Sequence, residues 1–174
     1  MINDFKKRIH SAWEKGGIDL LLCKFITVLK RELKNYFLNL YFRIIPMGQF
    51  YFQGRSYNYW RHTYNRSYNN ERIIEVPIIL EIFKKFKGKR ILEIGNVLKN
   101  YFPQLSHDVL DKYEKKEGII NEDVADFKPI QKYDLIISIS TFEHIGFDEE
   151  EKSSEKILQS VRNVINNCLS QGGI

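Results

Sequence analysis

The chain has 174 residues, 43% hydrophobic and 28% charged, enough for one globular core and too few for two of ordinary size. Its 27 basic and 22 acidic side chains leave a formal charge of +5, a mild excess concentrated before residue 90, and with no RNA- or DNA-binding motif this argues against a nucleic-acid partner. No apolar run of about 18 uncharged residues is long enough to span a membrane, Met1 to Lys15 lacks the apolar core of a signal peptide, and Cys23 and Cys168 form no metal or redox motif, so a reduced, cytoplasmic setting is expected.

Residues 1–69 read as an N-terminal extension. From Asp19, a plausible cap, Leu22, Phe25, Ile26, Leu29, Leu33, Phe37, Leu40 and Tyr41 recur at three- and four-residue spacing until Pro46 and Gly48 stop the helix. Lys24, Lys30, Arg31, Lys34 and Arg43 lie among them. Such a stripe packs on the domain or on a second copy, giving a homodimer, or else rests weakly on an anionic membrane surface. Residues 49–70 then interleave Phe50, Tyr51, Phe52, Tyr57, Tyr59, Trp60, Tyr64 and Tyr68 with Gln53, Arg55, Arg61, His62, Asn65 and Arg66. Stacking on a base or sugar suits that composition, but a lid over a pocket suits it better.

Residues 70–174 alternate helix and strand. Asn69-Asn70 caps a helix with Glu71 in its first turn and Ile74, Ile78, Ile79, Ile82, Phe83 and Phe86 on its apolar face, with Pro77 as a kink or the mark of its true first turn. Arg90 to Gly95 is a buried strand running into a glycine. A short helix, a strand ending at Asp108 to Asp111, the acidic loop Asn121-Glu122-Asp123 and a strand from Tyr133 to Ser140 follow, closing on Thr141-Phe142-Glu143-His144. Ile157, Leu158, Val161, Val164, Ile165, Cys168 and Leu169 form a last helical stripe, started by Ser153 or Ser154 and ended by Gly172-Gly173. Acidic side chains thus fall at the carboxyl ends of parallel strands, where nucleoside-binding α/β folds place their sites.

In this order the motifs resemble the class I S-adenosylmethionine-dependent methyltransferases from about Ile73 to Ile174. Arg90-Ile-Leu-Glu-Ile-Gly95 is similar to that family's first motif, Tyr133-Asp-Leu-Ile-Ile-Ser-Ile-Ser140 to its fourth strand, and Leu169-Ser-Gln-Gly-Gly173 to the approach to its fifth. The resemblance implies an α/β, Rossmann-like methyltransferase sheet with flanking helices, incomplete at strand five, and S-adenosylmethionine as cofactor. Its implied contacts are Gly95 at the methionine moiety, Glu93 at the amino end or ordering the loop, Asp111 on the ribose hydroxyls, Asp123 on the adenine N6 amine, the Val124 N–H on N1, and Ser140 beside them. Glu143 and His144 are implied as the general base for a small-molecule or glycan hydroxyl. Ser140 stands where some relatives begin an E-x-x-E-H metal site, so no metal is expected.

Each role has a plainer counterpart: Glu93 pairing with a lysine, Asp111 capping a turn, His144 packed as a structural histidine. The chain also departs from the family. Gly95-Asn96-Val97-Leu98-Lys99 keeps only the first glycine of G-x-G-x-G, Val97 and Lys99 crowd the cofactor, and too few residues separate Asp111 from Asp123 for a full helix. Reaching only the threshold of strand five leaves strand four as an open apolar edge, which a second polypeptide or a dimer would cover. The competing expectation is a non-catalytic remnant or assembly module on the same fold.

Overall fold

The computed structural model describes residues 2–45, 48–148 and 152–174, with side chains from Leu20 onward. Its elements are α1 (Ile2–Ile44), β1 (Gln49–Phe52), β2 (Arg55–Asn58), α2 (Arg72–Lys85), β3 (Ile91–Ile94), α3 (Leu98–Tyr101), β4 (Asp108–Leu110), β5 (Ile119–Ile120), β6 (Leu135–Ser138) and α4 (Glu155–Asn163). A four-stranded, all-parallel sheet in the order β5-β4-β3-β6 forms the centre of an α/β fold with flanking helices.

All four residues of β3 are buried, because the strand lies between two partners and is covered on both faces. Alternation splits its side chains between two cores. Leu92 and Ile94 join Leu110, Val124, Phe127 and Cys168 on one face, and Ile91 joins Phe83, Leu98, Leu135 and Ile137 on the other. The link from β4 to β5 contains no helix, as the short spacing predicts. At the amino ends of the strands, the Tyr133 hydroxyl donates to Asp108 at 2.9 Å while the Arg90 guanidinium lies 4.5 Å over the Tyr133 ring. Burial and the Asp108 carboxylate push the Tyr133 phenol up to about 12, so it stays a donor.

In α2 the N-cap is Glu71, which makes no side-chain cap bond, instead of the expected Asn69-Asn70, although the Asn70 side chain just before it accepts from the Arg72 N–H at 3.2 Å. Pro77 lies inside the helix and has no N–H for the Ile73 carbonyl, which instead accepts from the Trp60 N–H at 3.0 Å. The missing helical bond thereby ties the aromatic segment to the domain. Of the expected apolar face, Phe83 is buried but Ile74 is exposed, and Val76 is the fully buried position.

The extension differs from its sequence reading in two ways. Helix α1 already begins at Ile2, and its apolar stripe does not pack on the domain: Leu22, Phe25, Leu29, Leu33, Phe37 and Leu40 are all exposed. Pro46 and the Asp19 side chain lie outside the described residues. The aromatic segment opens as a hairpin whose Gln53-Gly54 turn has positive φ at both residues, the geometry that matches strand twist. Phe50 stacks on Tyr57 and Tyr59 there, while Trp60 packs on Tyr101 and Phe102.

The last helix is the clearest correction. No side-chain cap from Ser153 or Ser154 forms, α4 ends at Asn163, and a π-helical turn, Val164–Cys168, replaces the expected run to Gly172-Gly173. Leu158, Val161 and Ile165 face outward, whereas Ser160, Asn163 and Cys168 are buried. Asn163 explains the choice of face: its amide donates to the Val124 carbonyl at 2.9 Å and the Phe127 carbonyl at 2.7 Å. Residues 168–174 then run beside β6, with the Ile174 N–H on the Asp134 carbonyl and the Ile136 N–H on the Ile174 carbonyl, so the edge expected to be open is paired as far as Ile136. Asn163→Leu strands two buried carbonyls, and urea unfolding is expected to show a loss of about 3 kcal/mol, against about 0.5 kcal/mol for exposed Gln159→Leu.

Candidate functional site

Successive parallel connections put β4 on one side of β3 and β6 on the other, so the loops after β3 and β6 diverge and leave a crevice at the carboxyl ends of the strands. A cleft of about 380 Å³ lies there, lined by residues that follow β3, β4, β5 and β6 and by Tyr64 from the aromatic segment. The lid expectation therefore holds for Tyr64 alone among the aromatic residues.

The loop after β3 is organised from below. Glu93 is fully buried, and its Oε1 accepts from the N–H of Val97 at 2.8 Å and of Leu98, while Oε2 accepts from the Lys99 N–H at 3.2 Å and meets His107 Nε2 at 2.8 Å. The His107 side chain is buried as completely. Glu93 thus orders the loop and does not line the cleft, and its partner is a histidine instead of the lysine weighed for it. Gly95 has φ +82°, and a Cβ there would collide with the Thr141 hydroxyl and stand 3.0 Å from its Cγ2. The glycine is required by the packing of the β3 turn on the β6 turn. Val97 lines the cleft as expected, but the Lys99 ammonium is drawn away to the His107 carbonyl at 3.2 Å.

Asp111 follows β4 and lines the cleft, with Oδ1 accepting from the N–H of Tyr113 at 2.9 Å and Glu114 at 2.8 Å. Turn-capping and cleft-lining are therefore both true of it. Asp123 also reaches the cleft, but its Oδ2 is paired with Lys112 at 2.8 Å and Lys156 at 2.6 Å and its Oδ1 takes the Ala125 N–H at 3.0 Å. Burial alone would raise its pKa, but hydrogen bonds from both ammoniums and from Ala125 outweigh it and hold the carboxyl at about 2. A ligand amine would have to compete with those bonds, which weakens the adenine role expected of Asp123. The adjacent Val124 lines the cleft and its N–H finds no acceptor among the described residues.

On the β6 side, Ser140 lines the cleft with φ +45°, an uncommon left-handed conformation for a residue with a Cβ. His144 lines it too, and its Nδ1 lies 2.6 Å from Asp148 Oδ2, a carboxylate that orients the ring. Glu143 is exposed and is not among the cleft-lining residues, so the two expected bases separate and only His144 is brought to the site.

Four groups escaped the sequence reading. Asp148 was within reach of it, four residues after His144. Asn96 lines the cleft with its amide nitrogen on Glu114 at 2.9 Å and its Oδ1 buried without a partner among the described residues. His107 carries no motif. Glu75, in the first turn of α2, has a buried Oε2 without a partner, and burial pushes its carboxyl up, with Arg72 opposing and Glu71 and Glu143 adding to the rise. Among the described residues no group of His, Cys, Asp and Glu is suited to hold a metal ion.

Two outcomes follow. Gly95→Ala combines left-handed strain with the Thr141 clash and is expected to cost about 3 kcal/mol in urea unfolding, part of which Gly95→Ala/Thr141→Ala restores. Asp123, depressed from 3.8 in the unfolded chain to about 2, adds stability that is complete above pH 3.8 and disappears as pH falls to about 2. Denaturation of wild type and Asp123→Asn should differ by on the order of 1–2 kcal/mol at pH 6 and converge near pH 2.

Neither protein-family models, curated proteins nor solved structures match this chain.

Proposed function

We propose that residues 70–174 form a Rossmann-like, class I methyltransferase-type domain that binds S-adenosylmethionine and transfers its methyl to a small-molecule or glycan hydroxyl. The observation that carries the reading is a loop whose leading N–H groups are spent. Val97, Leu98 and Lys99 donate to Glu93, so the start of α3 offers no anion-binding nest. A crevice at the strand switch point without a phosphate cradle favours a nucleoside ligand that carries no phosphate.

The remaining polar groups suit that ligand. Asp111 supplies a carboxylate for vicinal ribose hydroxyls, the Val124 N–H supplies a donor for a purine ring nitrogen, and the orphaned Asn96 Oδ1 supplies an acceptor for an ammonium. Asp111, Glu114, Glu122 and Asp148 give the lining an acidic character that complements a cation. When bound, S-adenosylmethionine supplies an electrophilic methyl on a sulfonium. His144 is the base for the acceptor: Nδ1–H donates to Asp148, which leaves the Nε2 lone pair to take the hydroxyl proton. Tyr64 and Ile145 add apolar surface to the cleft wall.

The second reading, a domain that binds the nucleoside without turnover, is favoured by one feature, the engagement of Asp123 by Lys112 and Lys156. Calorimetric titration with S-adenosylmethionine and S-adenosylhomocysteine, joined to a labelled-methyl assay over hydroxylated acceptors, separates the two. Wild type should bind, Asp111→Ala should bind about tenfold more weakly, and His144→Ala should retain binding but lose transfer by roughly 10²–10⁴. Binding without transfer to any acceptor selects the second reading. A folded wild type that binds neither ligand refutes both.

A further inference from the structure

We propose that the outward face of α1 is a docking surface for an anionic lipid bilayer, with the helix lying in the plane of the headgroups. This inference is independent of the cleft chemistry. Leu22, Phe25, Leu29, Leu33, Phe37 and Leu40 follow helical spacing and are 43% to 63% exposed, a continuous apolar stripe of which Leu29 and Leu33 also border an open groove beside His62 to Asn65. Large exposed apolar stripes are rare on proteins that do not use them.

The orientation is fixed by the opposite face. Asn39 Nδ2 donates to Thr63 Oγ1 at 2.9 Å and Asn39 Oδ1 accepts from the Thr63 N–H at 2.9 Å, while Phe42 packs on Tyr68 with ring centroids 5.8 Å apart. At 100° per residue, Phe42 lies about 160° from the Leu22–Leu33–Leu40 line and Asn39 about 100° from it, so the clamp sits on the far side and one flank of the helix. The helix is clamped by polar bonds on its inner side, which leaves the apolar side for something outside the chain.

Charge identifies the occupant. Residues 20–45 carry Lys24, Lys30, Arg31, Lys34 and Arg43 against Glu32 alone. On a helical projection Lys30, Lys34 and Arg43 border the stripe, whereas Lys24 and Arg31 lie opposite it, and the bordering side chains reach the headgroup phosphates while the stripe enters the acyl boundary. A second copy would set the same positive charges against each other, and the stripe, about 120° wide on a helical projection, exceeds the narrow seam of a coiled coil. No described helix is long and apolar enough to cross a membrane, so an in-plane position fits this one. From Leu22 to Ile44 the contact runs for about 33 Å.

The test is flotation of the full chain with vesicles of phosphatidylcholine alone or with about 30% phosphatidylserine, beside sedimentation equilibrium without lipid. The chain should float with the anionic vesicles, fall away as salt is raised, and stay behind with phosphatidylcholine alone. Leu29→Glu/Leu33→Glu should abolish flotation, and Lys30→Gln/Lys34→Gln should lower partitioning by about fivefold per lysine; circular dichroism checks that these surface variants remain folded. Absence of flotation, or flotation indifferent to both double variants, overturns the proposal. A lipid-free dimer that Leu29→Glu/Leu33→Glu dissociates, with no flotation by wild type, assigns the stripe to a second copy instead.

Discussion

The Glu93 carboxylate is the constraint from which the functional end of this fold follows. An ionised carboxylate in a dry core is costly unless its lone pairs are filled. Here three successive backbone N–H groups and His107 fill them. The loop after β3 is thereby drawn down onto its own strand. That conformation brings Gly95 against Thr141, joining the β3 turn to the β6 turn, and leaves Asn96 and Val97 on the cleft wall. One buried carboxyl group therefore sets both the shape of the crevice and the donors it lacks.

The central strands were legible because β3 is buried at every position and β6 alternates between buried and half-buried ones. β3 is interrupted only by Glu93 and β6 closes on Ser138, and such short hydrophobic runs ending in a turn have few alternatives in a chain of this size. Helix faces were not legible to the same degree. Periodicity identifies a stripe but does not say whether the stripe faces in. In α4 and the turn after it, the outward position of Leu158 and Ile165 follows from Asn163, whose amide reaches the Val124 and Phe127 carbonyls, distant in sequence. In α1 the same role falls to Asn39 and Thr63, separated by the whole hairpin.

The candidate site divides along the same line. Asp111 and His144 were readable because strand ends fix their position, and Asp148 was readable in principle from its four-residue offset. Asp123 was found but its state was not, since Lys112 and Lys156 approach from different loops and elements. Glu93 was read as a cofactor contact or a loop-ordering group, and only the position of His107, remote in sequence, decides for the second. Residue type announces a carboxylate, whereas its freedom to serve a ligand depends on the cations that the fold delivers to it.

Charge distribution links the two ends of the molecule. Residues 1–89 carry 17 basic and 7 acidic side chains, whereas residues 90–174 carry 10 and 15. The basic half contains the outward stripe of α1, and the acidic half contains nearly all of the cleft lining. Against a negative surface such a molecule experiences a torque that turns α1 toward the lipid and the acidic half away from it, before any apolar contact is made. In the proposed docking, burial of the stripe would then hold the orientation that electrostatics selects. A cationic ligand meets the opposite situation, being drawn to the cleft by the same acidic half that the surface repels.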